Sequence, residues 1–106
     1  LSEINLSSFD TSNVKDMSEM FRYCSKLTEL DLSSFDISNV TNMDKMFQIS
    51  DSSSLDIVMN KTSFNSSVTM TNMFTTNPII NIKLFSQADK NKIDSLGYSN
   101  VTAVVG

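Results

Sequence analysis

One stretch of 21 residues occurs twice. Leu1–Phe21 reads LSEINLSSFDTSNVKDMSEMF, and Leu27–Phe47 reads LTELDLSSFDISNVTNMDKMF, at an offset of 26. Leu6/Leu32, Phe9/Phe35, Asp10/Asp36, Asn13/Asn39, Val14/Val40, Met17/Met43, Met20/Met46 and Phe21/Phe47 are identical pairs. Self-similarity at a period of this size signals stacked supersecondary units, each unable to bury its apolar side alone. The expected fold class is therefore an α/β repeat, with neighbouring copies laying like residues on like.

In chain order, residues 1–26 form a first repeat and 27–54 a second. Each opens on Leu-x-x-Leu/Ile-x-Leu, whose last two apolar positions alternate with polar ones as in a short half-buried strand. A polar turn with one apolar Phe follows. Val14, Met17, Met20 and Phe21 then recur at helical spacing, so a short helix is expected here, with Asn13/Asp16 and Thr41/Asp44 as start signals. Residues 55–78 read as a decayed third repeat: Leu55 and Val58 hold the opening pattern, Phe64 recurs, and Val68, Met70, Met73 and Phe74 restore the apolar face. Asp51–Ser54 is read as an insertion. At 79–85 the strand pattern restarts with Ile79, Ile82 and Leu84. Ser86 is a helix N-cap, Gln87–Leu96 a helix with Ile93 and Leu96 inward, Gly97 its stop and Val101–Val105 a last strand. Residues 79–106 thus make a C-terminal strand and cap, and the whole of 1–106 is one domain. Stacking Leu6 on Leu32, Phe9 on Phe35 and Met20/Phe21 on Met46/Phe47 makes one column of core.

Composition narrows function more than it defines it. Charged residues are only 19% of the chain, and 19 Ser with 11 Asn supply the polarity instead. Net charge is −4. The acids concentrate in residues 1–54, which argues against nucleic acid or an anionic membrane as partner. No His is present, removing the commonest general base and metal ligand. The lone Cys24 has no second cysteine to pair with and no histidine to activate it, so it reads as a small apolar residue. No apolar run approaches the roughly 18 residues of a membrane span. The chain opens directly on a repeat, which is expected of a piece of a longer protein.

Leu-x-x-Leu-x-Leu-Ser-Ser-Phe-Asp-x-Ser-Asn-Val-x-x-Met-x-x-Met-Phe resembles the bacterial surface-protein leucine-rich repeats of the BspA-like group, also described as a mycoplasma-type lipoprotein repeat. The first copy runs on through Met20, Phe21, Cys24, Ser25 and Leu27, as the family's repeat does. The match is strong over residues 1–47, weak over 55–74 and limited to the opening strand over 79–106. The resemblance implies a leucine-rich-repeat solenoid, right-handed, of short parallel strands, polar turns and short helices. It also implies a bacterial cell-surface or secreted location, with adhesion or host contact as the usual role. No ligand follows from it.

In such a repeat the residues between the strand leucines line the concave face. Those rows here are Glu3, Glu29, Ile57, Asn81; Asn5, Asp31, Met59, Lys83; and Ser7, Ser33, Lys61, Phe85. Ile57, Met59 and Phe85 exposed together would form an apolar patch of the kind that marks a contact site. Glu29, Asp31, Ile57, Met59, Lys61, Asn81, Lys83 and Phe85 are the candidate partner-binding residues. The competing reading is that register slips in the third repeat and its apolar residues face inward. The acids do not spell a calcium loop, and Asp10 and Asp36 occupy equivalent turn positions where a carboxylate accepts backbone N–H bonds. No catalytic, metal or cofactor-binding constellation is expected. The leading expectation is a non-enzymatic module binding host or extracellular-matrix proteins; the alternative is a structural spacer.

Overall fold

The computed structural model describes residues 3–4, 13–22, 28–49, 54–75 and 79–106. Among these residues, five strands and one helix follow one another: β1 (Glu3–Ile4), β2 (Glu29–Asp31), β3 (Ser54–Met59), β4 (Ile79–Leu84), α1 (Gln87–Asp94) and β5 (Val101–Val105). All neighbouring strands pair in parallel, in the order of the sequence. The result is a small α/β domain with a parallel sheet and one helix.

The sheet buries one face and opens the other. Leu30, Leu32, Leu55, Ile57, Met59, Ile80, Ile82, Leu84 and Ala103 point into the core. The residues between them, Glu29, Asp31, Asp56, Asn81, Lys83, Thr102 and Val104, are exposed. This alternation is the pleat of a strand with one wet side. It corrects the expected start of β4: Ile79 is 60% exposed and Ile80 takes the inward place.

Behind the sheet the sequence predicts helices at 14–21 and 40–47, and the structure forms turns instead. Met17 and Phe21 do face the core, as do Val40, Met43, Met46 and Phe47. The amides of Met17, Phe21, Met43 and Phe47 bond the next segment, whereas those of Val40 and Met46 close local turns on the Ile37 and Met43 carbonyls. Met17 N–H donates to the Asn42 carbonyl at 2.8 Å, Glu19 to Asp44, and Phe21 to Met46. One level on, Met43 donates to Thr69, Lys45 to Thr71, and Phe47 to Met73. A left-handed residue recurs in each turn: Glu19, Lys45 and Asn72, at φ of 58°, 59° and 53°. Such a backbone ends a right-handed helix. A four-residue apolar face at i, i+3, i+6 and i+7 therefore fits a tight turn as well as a helix, and the bonding between segments decides. The Asp16 side chain, expected with Asn13 to start a helix, instead caps its turn by accepting the Ser18 N–H, and Asn42 accepts the Asp44 N–H in the same way one level on.

The core is layered. The rings of Phe21, Phe47 and Phe74 stack at centroid spacings of 5.8 Å, and Tyr98 closes the column edge-on to Phe74 at 5.5 Å. Phe21 thus lies on Phe47 as the sequence leads one to expect, and Phe74 fills the same place in the third segment. The expected contacts of Leu6 with Leu32 and Phe9 with Phe35, and the setting of Cys24, fall outside the described residues. Polar side chains bridge segment to segment: Asn65 Nδ2 donates to the Ser38 carbonyl, Thr75 Oγ1 to Ile49, and Asn100 Nδ2 to Thr75.

The C-terminal unit matches its sequence signals. Ser86 caps α1 by accepting the Asp89 N–H, Ile93 is buried, and Gly97 takes φ 81° beyond the helix end. Asp89 is the buried charged residue of the described core, 4% exposed. It accepts from the Phe64 N–H at 3.0 Å, Ser63 Oγ at 2.7 Å and Ser86 Oγ at 2.8 Å. It pins the helix to the preceding segment by supplying acceptors where no next turn exists to supply them.

Candidate functional site

The open face of the sheet is the surface on which the sequence places its candidate residues. Its rows follow from the strand register. One row runs Glu29, Asp56, Asn81, Thr102; a second runs Asp31, Val58, Lys83, Val104. Phe85 comes next on the same side of β4 and is 52% exposed.

Five of the eight candidates stand on this face: Glu29, Asp31, Asn81, Lys83 and Phe85. Ile57 and Met59 do not. Each is 1% exposed and packed in the core. Lys61 is exposed but lies past the end of β3, with its ammonium directed to the Ser34 carbonyl of the neighbouring turn. The reason is a one-residue shift. Leu30 pairs with Ile57, not with Val58, so the offset into the third segment is 27 rather than 28. Because strand side chains alternate, a slip of one carries every residue to the opposite face. The alternative register would have put Ile57 and Met59 in water and Val58 inside, losing burial of two large side chains at roughly 1.5–3 kcal/mol each.

Asp56, Val58, Thr102 and Val104 are the face residues that sequence reasoning missed. The signal for the first two was local. Leu55, Ile57 and Met59 alternate strictly, and counting from Leu55 rather than from the previous repeat would have turned Asp56 outward. For β5 no such signal exists, since Val101–Val105 has apolar residues on both sides.

Chemically the face is graded. Glu29 and Asp56 are opposite neighbours, with Asp31 two residues along β2. Asn81 Nδ2 donates to Asp56 at 3.1 Å. Asp31 accepts both the hydroxyl and the N–H of Ser33, which hold its carboxyl below the ordinary carboxylate range, the hydroxyl contributing most. Toward β4 and β5 the carboxylates give way to Lys83, Val104 and Phe85. Among the described residues the ion pairs join Arg22 to Glu19 and Lys90 to Asp94, both away from this face. Asp36 is a turn carboxylate, as its position leads one to expect: it accepts the Ser38 hydroxyl and N–H, and they lower its pKa. Among the described residues no group of three or more His, Cys, Asp or Glu could hold a metal ion, and no helix is long and apolar enough to cross a membrane.

Fold and face together define a small α/β domain whose parallel sheet carries a mixed, water-exposed surface. The chain belongs to the family described as Mycoplasma protein of unknown function, DUF285, whose model matches residues 2–88. That span takes in β1 to β4 and the start of α1. No curated protein and no solved structure gives a significant match.

Proposed function

We propose that this chain is a stack of leucine-rich-repeat type serving as a non-enzymatic protein-contact module of a bacterial surface or secreted protein, and that the open sheet face is its contact surface. The observation that carries the reading is the gradient across that face. Glu29, Asp31 and Asp56 stand at one side, with Lys83, Phe85 and Val104 at the other. A half-exposed Phe beside exposed Val and a Lys is the mixture that protein interfaces use, with an apolar centre and a charged rim. The Mycoplasma-type family supports a bacterial source. In-register parallel strands and the stacked Phe column support the repeat reading.

The test is capture. The domain and its Lys83→Asp/Phe85→Asp variant are immobilised and exposed to a panel of purified extracellular-matrix and host-surface proteins. Both residues are exposed, so the variant should keep the wild-type melting temperature within a few degrees. A protein retained by the wild type and lost by the variant is the expected result. Equal retention by both would refute the face. The competing role, a spacer holding other parts of a longer protein apart, rests on the regular turn-to-turn bonding behind the sheet. It predicts that no panel protein is retained.

A further inference from the structure

We infer that the face takes an extended protein segment presenting a basic side chain to Glu29 and Asp56 and an apolar side chain to Phe85 and Val104; the inference rests on the protein-contact reading above. Two separate features of the face specify this occupant.

The first is a repulsion that the fold leaves standing. Glu29 and Asp56 are register partners on adjacent strands, and like charges directly opposite destabilise a sheet. The Asn81 amide answers Asp56 alone. The described ion pairs bring no Lys or Arg to either acid. A cation arriving from outside would relieve the repulsion, whereas phosphate or an acidic peptide would add to it. The second feature is apolar area in the same plane. Phe85 and Val104 are both exposed large hydrophobics, two strands away from the acids. Two strand spacings of about 4.8 Å across, and on average some three residues of about 3.3 Å along the strands, set the two features about 14 Å apart. An extended chain rises roughly 3.3 Å per residue and turns successive side chains to opposite faces, so side chains four residues apart reach both. Charge alone would select any cation, and apolar area alone any greasy surface. Their fixed separation selects a segment carrying both.

The probe is a set of twelve-residue Gly/Ser peptides carrying Lys and Leu four positions apart, with Lys→Glu and Leu→Ser versions. Each is titrated into the ¹⁵N-labelled domain while amide shifts are followed. The Lys/Leu peptide should move the amides of Glu29, Asp56, Lys83, Phe85 and Val104, and should bind about fivefold more tightly than either altered peptide, as expected for one exposed charge pair or one small apolar contact. The preference for Lys over Glu should shrink in 0.5 M salt and vanish in Glu29→Gln/Asp56→Asn, whose circular dichroism should match the wild type. The inference is overturned by absent shifts at millimolar peptide, by equal binding of all three peptides, or by shifts confined to other surfaces. It is also overturned, in favour of a second copy of this chain, if concentrating the protein alone moves the same amides. Peptide failure alongside successful capture of a panel protein sinks this inference and leaves the contact module standing. Equal capture by wild type and Lys83→Asp/Phe85→Asp sinks the module itself.

Discussion

Replacing Asp89 by Ala tests how the last unit is held to the rest. The wild-type carboxylate is buried and accepts three hydrogen bonds, from Phe64 N–H, Ser63 Oγ and Ser86 Oγ. Hydrogen bonds to a charged group contribute about 1.5–3 kcal/mol each, and an orphaned buried donor costs about 1–3 kcal/mol. Against these stands the desolvation of the carboxylate itself, several kcal/mol, which Ala no longer incurs. The balance for Asp89→Ala is a loss of about 2–4 kcal/mol, a large part of the roughly 5–15 kcal/mol typical of a domain. Asp89→Asn keeps an oxygen for the Phe64 N–H and should lose about half as much. At about 4–8 °C per kcal/mol for a chain of this size, Ala should lower the melting temperature by roughly 10–30 °C. Urea unfolding followed by circular dichroism gives the free energies directly. Asp94→Ala, which removes an exposed carboxylate paired with Lys90, is the control and should fall within about 0.5 kcal/mol of wild type. An Asp89→Ala protein melting within about 2 °C of wild type would refute the argument, because the buried N–H would then have found another acceptor.

Phe47 sits between Phe21 and Phe74, so Phe47→Ala should cost about 3–5 kcal/mol in urea unfolding, whereas Phe85→Ala on the open face should stay within about 0.5 kcal/mol. Lys45 holds φ 59°; Lys45→Gly should raise or at worst preserve the melting temperature, since glycine removes a left-handed penalty of about 1–2 kcal/mol against a backbone entropy cost of about 0.5–1 kcal/mol. Asp16, Asp31 and Asp36 all have folded pKa values lowered from 3.8, chiefly by the hydroxyls of Ser18, Ser33 and Ser38. A depressed carboxylate contributes stability above its unfolded pKa and loses it as pH falls toward the folded one. Melting temperature should therefore respond to these groups only as pH drops through about 4 and below, and Ser33→Ala/Ser38→Ala should flatten that acid limb; an unchanged limb would show that these turns do not couple to folding.

The strands were legible where alternation was strict and misplaced where the repeat was used as a ruler. Glu29, Asp31, Asn81, Lys83 and Phe85 come out on the open face because their own neighbours alternate. Ile57 and Met59 lie inside because the spacing between segments changes by one residue there, so a period carried across that point turns them outward; with Met59 fully buried, Met59→Asp should unfold the domain. Ser86, Ile93 and Gly97 were readable because capping and helix termination are local. The turns at 17–22 and 43–48 were not, for apolar spacing reports which side chains are buried and is silent on where the amides go. The left-handed backbone falls on Glu19 and Lys45, residue types that give no hint of it. Asp89 was invisible as a pin because its partners Ser63 and Phe64 lie some 25 positions earlier in the chain.

Alternate amides behind the sheet, from Met17 to Phe21 and from Met43 to Phe47, find their acceptors in a neighbouring segment rather than in their own. An α-helix can shelter its own protons from solvent even when detached from its surroundings; these turns have no such reserve. Hydrogen exchange at Met17, Glu19 and Phe21 should therefore be governed by the integrity of residues 42–46, and exchange at Met43, Lys45 and Phe47 by that of residues 69–73. Loosening any one level would expose the level leaning on it, so protection should vanish in blocks spanning two distant stretches of chain, never amide by amide from a fraying end.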